Sequence, residues 1–240
     1  MLAAAVPARP GDTVLELGCG SGAAFLCLLA RCPSLRVTAV ERQPVLAALA
    51  ENNVATNGHA GRVQVRAGDI AAPATMAGLS GLDHAMANPP WWPDGTAPPD
   101  PGRAAATHLS GGVGLDTWVG VLASPLRHGG SATVIVPATL LEQALSAMKA
   151  AGLGGLVVYP LWPRAGTEAK RLILSGRRGS RGLTRVLPGL VLHDGPRWTA
   201  AAEAVLRDAG ALPDHWCAGR QRDRAARPGS ALGVGMAEQP

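Results

Sequence analysis

Apolar positions along most of this chain fall into two alternating rhythms. Short β-rich runs occupy Thr13 to Leu17, Leu35 to Val40, Val63 to Ala67, His84 to Ala87 and Ala132 to Val136; their length and branched residues predict strands. Longer stretches with helical spacing lie between them. One spans Ala23 to Ala30 and is ended by Pro33. A second opens on Pro44, suited to a first helical turn, runs to about Asn57 and closes at Gly58. Two more cover Asp116 to Leu126 and Leu140 to Ala151, the latter stopped by Gly152. Runs at Leu156 to Tyr159 and Arg171 to Leu174 predict an antiparallel pair joined by a loop over Pro160 to Lys170. Strands alternating with helices imply a parallel sheet covered on both faces. The expected fold is therefore α/β and doubly wound: a Rossmann-like seven-stranded sheet, mostly parallel, with an antiparallel strand near the C-terminal end.

The rhythm breaks in two places. Residues 93–112 are rich in Pro, Gly, Asp and Ala without a period, and a long irregular loop in a compact domain is usually functional or mobile. Beyond about Ser175 the pattern weakens to a short strand at Val191-Leu192 and a helix over Thr199 to Ala209, capped by Thr199. The expected division is a catalytic domain over 1–176, a C-terminal extension packed on or beside it over 177–216, and a disordered, Arg-rich tail over 217–240.

Composition adds modest constraints. The formal charge of +5 is carried almost wholly by arginine, which suits a polyanionic partner but also ordinary solubility. The four cysteines (Cys19, Cys27, Cys32, Cys217) show no CxxC pair and no zinc-finger spacing with histidine, and read as reduced thiols of a cytoplasmic protein. The six histidines (His59, His84, His108, His128, His193, His215) have no ligand spacing, so no metal is expected. The N-terminus lacks a basic stretch ahead of its short apolar run, and no run approaches the length of a membrane span. Nothing in the pattern sets an oligomeric state.

Candidate chemistry begins at Leu15 to Gly22 (LELGCGSG), which follows a strand and opens a helix. Glycines at 18, 20 and 22 permit a tight turn and close approach of a ligand, and a helix N-terminus presents free N–H groups. The GxGxG spacing is one residue shorter than a dinucleotide fingerprint, and no P-loop lysine is present. Glu16 would repel a pyrophosphate but suits a cationic sulfonium ligand with an amino group. Glu41, ending the second strand, can accept both hydroxyls of a ribose. Asp69 can accept from an adenine amine while Ile70 covers the ring. Each acid alone is more often a solvated strand end. Together, Glu16, Gly18, Cys19, Gly20, Gly22, Glu41, Asp69 and Ile70 resemble the cofactor site of class I S-adenosylmethionine-dependent methyltransferases.

The fourth strand leads into Asn88-Pro89-Pro90-Trp91. A proline-rich turn after a strand is common, but this one lies where the sheet end faces the cofactor crevice. An amine conjugated to a ring is a poor nucleophile. The Asn88 side-chain oxygen and the Pro89 carbonyl can accept its two N–H groups and aim the nitrogen lone pair. The prolines stiffen the turn, Trp91 can stack on a base or serve as a core residue, and Trp92 can flank the entrance. The four residues resemble the (Asn/Asp)-Pro-Pro-(Tyr/Phe/Trp) motif of amino-methyltransferases.

Further blocks make the chain resemble the bacterial tRNA1(Val) (adenine-N6) methyltransferase family from Leu2 to about Ala211. They are Pro101 to His108 (PGRAAATH), Leu161 to Gly166 (LWPRAG) with Ala169 to Arg171 (AKR), and Leu190 to Asp194 (LVLHD) followed by Arg197 to Thr199 (RWT). The resemblance implies S-adenosyl-L-methionine as cofactor, tRNA or another structured RNA as partner, and adenine held by Asn88 to Trp91. Arg164, Lys170 and Arg171 are then candidate phosphate contacts, although a solvated loop would carry such residues too. Two departures stand out: a short segment before the first strand, where relatives carry a longer one that helps cover the cofactor, and Trp at the fourth motif position, where many relatives have Tyr or Phe. Methylation of a protein glutamine amide, methylation of guanine N2 in RNA, and a methyltransferase-like RNA-binding protein without activity remain as alternatives.

Overall fold

A computed structural model describes residues 1–90 and 113–212. Trp91 and Trp92, the irregular stretch that follows them, the Pro101 to His108 block, His215, Cys217 and the tail lie outside the described residues.

After a short helix α1 (Leu2–Ala5), the chain alternates β1 (Thr13–Leu17), α2 (Ala23–Arg31), β2 (Arg36–Glu41), α3 (Pro44–Thr56), β3 (Val63–Ala67), α4 (Pro73–Met76) and β4 (Leu82–Ala87). It continues with α5 (Leu115–Ala123), β5 (Leu126–Pro137), α6 (Leu141–Ala150), β6 (Leu153–Arg164) and β7 (Arg171–Arg178). The last described elements are β8 (Arg185–Val186), β9 (Leu190–Asp194), β10 (Arg197–Trp198) and α7 (Ala200–Arg207). All the strands join one sheet in the order β10-β9-β6-β7-β5-β4-β1-β2-β3, with β8 beside β6. β3, β2, β1, β4 and β5 are mutually parallel, and β7 runs antiparallel to both its neighbours. The doubly wound α/β architecture is as the sequence predicts, but the described residues contribute ten strands rather than seven. β8 and β10 have two residues each, too few to show a period.

Both faces of the sheet are buried, which is why β1 carries an apolar run rather than an alternation. Leu15, Leu17, Ala85 and Ala87 pack with α5 and α6 on one face. Val14, Met86, Phe25 and Leu28 pack with α1, α2 and α3 on the other, where Tyr159 and Ile173 continue the layer beneath α7. Among the described residues no helix is long and apolar enough to cross a membrane.

Several boundaries differ from the sequence reading, and three of the differences arise at a proline or glycine. The helix expected to reach Leu126 stops at Ala123, because Pro125 has no N–H to extend it. β5 starts at Leu126 instead of Ala132, passing through Gly129 (φ +76°) and Gly130 where its register with β4 shifts; a glycine pair inside a strand marks an irregularity that a periodic pattern reads as a break. β6 continues through Pro160 to Arg164, so the expected Pro160–Lys170 loop shrinks to residues 165–170. Pro160 is tolerated because β8 pairs at Val157 and Val158 and β9 begins at Leu161, leaving the proline between the two partners.

Candidate active site

The order of strands reverses between β1 and β4, whose chains continue to opposite sides of the sheet; ligands of such folds bind outside the carboxyl ends of the strands at that point. β1 and β4 run in parallel register with Glu16 beside Met86 and Leu17 beside Ala87. Gly18 and Asn88, the next residues on each strand, therefore leave the sheet as neighbours. Asn88 is exposed, Pro89 is buried and Pro90 half-buried.

The glycine loop is folded by its own backbone. Gly18 (φ +66°), Gly20 (φ +56°) and Gly22 (φ +88°) all adopt the left-handed region, which suits glycine alone at low cost. Gly18 and Cys19 both donate N–H to the Val40 carbonyl, at 2.8 and 3.1 Å. Glu41 clamps the loop from β2: one carboxylate oxygen accepts from Gly20 N–H and the other from Gln43 N–H, each at 2.9 Å. Each oxygen keeps a second lone pair for a ligand hydroxyl. Asn53 of α3 reaches across to donate to the Ser21 carbonyl at 2.9 Å. A Cβ on Gly20 would meet nothing within 4 Å, so this part of the loop borders open space.

Glu16 is the electrostatic centre. Its side chain is buried, its Oε2 has no hydrogen-bond partner among the described residues, and burial pushes its pKa up to about 8, opposed by the Phe25 N–H and reinforced by Glu41. An unpartnered buried carboxylate is costly alone and favourable beside a cation. The donor set thus fits S-adenosylmethionine: Glu16 could hold a cationic group, and Glu41 with the loop N–H groups could hold its polar edges. The same burial has a pH consequence. Unfolded, Glu16 loses its proton near 4.5; folded, it keeps it up to about 8. The folded state holds the extra proton between those values, so this residue costs stability progressively as pH rises through the window. The melting temperature of ligand-free protein is expected to fall from pH 5 to pH 8, and Glu16→Gln should flatten that slope in a pH series of thermal melts.

The remaining sequence candidates are also located. Cys19 is buried, with its thiol pushed up to about 12 by burial and by Glu16 and Glu41, so it offers no thiolate. Asp69 follows β3, and its Oδ1 accepts from Ala71 N–H at 2.8 Å; Ile70 is buried against the cluster that holds Leu17 and Val40. Arg164 ends β6 and Arg171 begins β7, where it pairs with Pro137 of β5 and Leu161 of β6. Lys170 accepts the Ala138 N–H on its carbonyl. These three cations therefore lie at the same end of the sheet as Asn88, while burial holds the Arg171 guanidinium below its ordinary value.

Trp118 is a site residue the sequence reading missed. A Cβ on Gly18 would come within 2.9 Å of its ring, so this α5 side chain walls the glycine loop. Its spacing on α5 matches a core position, and only the packing of α5 on the sheet brings it to the loop.

Comparison with known proteins agrees with this geometry. Residues 1–99 match the family model described as the methyltransferase small domain. The tRNA1(Val) (adenine(37)-N6)-methyltransferase of Aeromonas hydrophila subsp. hydrophila is 30% identical over 195 residues, covering 80% of this chain and 79% of that protein. The release factor glutamine methyltransferase of Moorella thermoacetica is 37% identical over a shorter 125 residues, 49% of this chain and 43% of that one. Among solved structures, a predicted O-methyltransferase from Agrobacterium tumefaciens superposes with a TM-score of 0.71 at 22% identity, covering 88% and 96% of the two chains, a likeness of fold.

Proposed function

We propose that this chain, which belongs to the family of the bacterial tRNA1(Val) (adenine(37)-N6)-methyltransferases and is an S-adenosylmethionine-dependent N-methyltransferase, methylates the exocyclic N6 amine of adenine in tRNA. The observation that carries this reading is the register of β1 with β4, which starts the Asn88-Pro89-Pro90 turn beside the glycine loop. S-adenosylmethionine, when bound, supplies an electrophilic methyl group. The chain's task is then to present a planar amine to it. Asn88 Oδ1 accepts one N–H of the amine and the Pro89 carbonyl accepts the other. Held by both acceptors, the nitrogen keeps its lone pair directed out of the hydrogen-bonded plane and toward the glycine loop. No residue needs to remove a proton before attack, because the nitrogen is acidified only as its new bond forms, and the proton can then pass to water. Fixing two reactants in line contributes the larger part of the rate.

RNA as the bearer of that amine is supported by the formal charge of +5 and by Arg164, Lys170 and Arg171 at the Asn88 end of the sheet. A glutamine amide would need the same two acceptors, and the release factor enzyme is 37% identical to this chain over 125 residues. A direct competition separates them. With labelled S-adenosylmethionine, unmodified tRNA is expected to take up label as N6-methyladenine on nucleoside digestion, and release factor to take up none. Label appearing on release factor alone would overturn the RNA reading.

A further inference from the structure

At the far edge of the sheet, the C-terminal segment extends the surface around Arg164 with aromatic side chains that the proposed reaction does not use. β9 runs parallel to β6 with Trp162 beside Val191 and Arg164 beside His193. β10 turns back on β9 with Trp198 opposite His193. Residues in register share a face of the sheet, so Arg164, His193 and Trp198 form one row, with Trp162 and Val191 in the row beneath. The His193 and Trp198 rings stack, centroids 4.0 Å apart and planes 28° from parallel. Trp198 nevertheless keeps 39% of its surface exposed. The row is held rigidly: Trp162 Nε1 donates to the Pro188 carbonyl at 2.9 Å, and Thr199 donates to the Val191 carbonyl at 2.7 Å while capping α7.

We propose that this row is a base-stacking platform for an unpaired nucleotide of the RNA substrate, away from the nucleotide being methylated. The inference rests on the tRNA reading above. Three features select RNA as the occupant. A preformed stack of an indole on an imidazole presents a flat, sequence-tolerant face to a base. The charge around it is basic: Arg164, Lys170, Arg171 and Arg197 stand against Glu168 and Asp194, and among the described residues Arg164, Lys170 and Arg197 have no carboxylate partner. The platform also shares the end of the sheet with Asn88, because β9 is parallel to β6 and both end there. Four strand spacings separate β4 from β9, which is roughly 19 Å. A single structured RNA lying along that end can therefore reach the catalytic turn and the platform together.

The test measures tRNA affinity and methylation kinetics on the full chain. Trp198→Ala is expected to raise Kd and KM for unmodified tRNA about tenfold, with the effect confined to KM and with unchanged melting temperature and S-adenosylmethionine affinity. Trp198→Phe keeps an aromatic face, so it should retain affinity within about threefold but lose Trp198's share of the tryptophan fluorescence that tRNA quenches, so that the total quenching falls. A purely structural Trp198 would leave that quenching in place. Arg164→Ala, at an exposed position, should weaken binding and lower the slope of log Kd against log salt by about one; with Trp198→Phe it decides the matter should Trp198→Ala not fold. If the wild type methylates tRNA while Trp198→Ala and Arg164→Ala keep its KM, the platform is overturned and the substrate reading stands. If the wild type neither binds nor methylates tRNA and labels release factor instead, both fall.

Discussion

Replacing Asn88 by alanine is expected to reduce kcat for methyl transfer to tRNA by about 10²–10³-fold, the loss typical of one preorganised hydrogen-bonding group at a reacting centre. The side chain lies one residue past the β4 position that pairs with Leu17 and is exposed, so its removal leaves the core intact. On the proposed reading, what disappears is one of two acceptors that orient the amine; the Pro89 carbonyl remains. Substrate KM should therefore move much less than kcat, the signature of an interaction made mainly in the transition state. Asn88→Asp keeps an acceptor oxygen and should recover part of the rate. Single-turnover kinetics with labelled cofactor, alongside calorimetric titration of S-adenosylmethionine, separates these terms. A variant that binds cofactor normally and still methylates at the wild-type rate would remove Asn88 from the chemistry.

The second large effect concerns stability and cofactor binding together. Gly22 caps α2 at φ +88°, and a Cβ there would run into the Phe25 ring, 2.8 Å from Cε1. Phe25 is 0% exposed and packed among Leu28, Leu29 and Val14, so it cannot swing away. Left-handed backbone costs an L-residue about 1–2 kcal/mol, and forcing a methyl into a filled core adds about 1–3 kcal/mol. Gly22→Ala should then lower stability by about 3 kcal/mol and the melting temperature by about 6–12 °C. Gly58 supplies the control: its φ is +70°, but a Cβ would meet nothing within 4 Å. Gly58→Ala should cost only the backbone term, about 1–2 kcal/mol, and leave S-adenosylmethionine binding unchanged. Equal losses in the two variants, read from denaturant melts, would refute the collision with Phe25.

The parts of this molecule legible in its sequence are those set by local sterics. Glycines at 18, 20 and 22 announce a left-handed loop because few other residues enter that conformation, and all three adopt it. The Asn88 turn is likewise readable, since its position after a strand already places it at a sheet end. Glu41 was visible as an acid at the end of β2, but its grip on Gly20 N–H and Gln43 N–H was not, because a carboxylate can turn to backbone or to ligand from the same Cα. Trp118 escaped because a tryptophan on an amphipathic helix looks like core until the helix is docked. Pro160 and the Gly129-Gly130 pair misled for a common reason: each reads as a break locally, and each is accommodated by what neighbouring strands do, at the gap between β8 and β9 and at the shifted register with β4.

β6 shows what the short C-terminal strands are worth. Its twelve residues include Val157, Tyr159 and Leu161, all buried. With one flank paired to β7 and the other open, it would offer a stranger's backbone a long, apolar template for self-association. β8 and β9 occupy that flank, and the strand left outermost, β10, is only two residues long and begins with Arg197. The fold thus trades a sticky border for one with almost nothing to copy, and the segment that closes it also carries the Trp198 row.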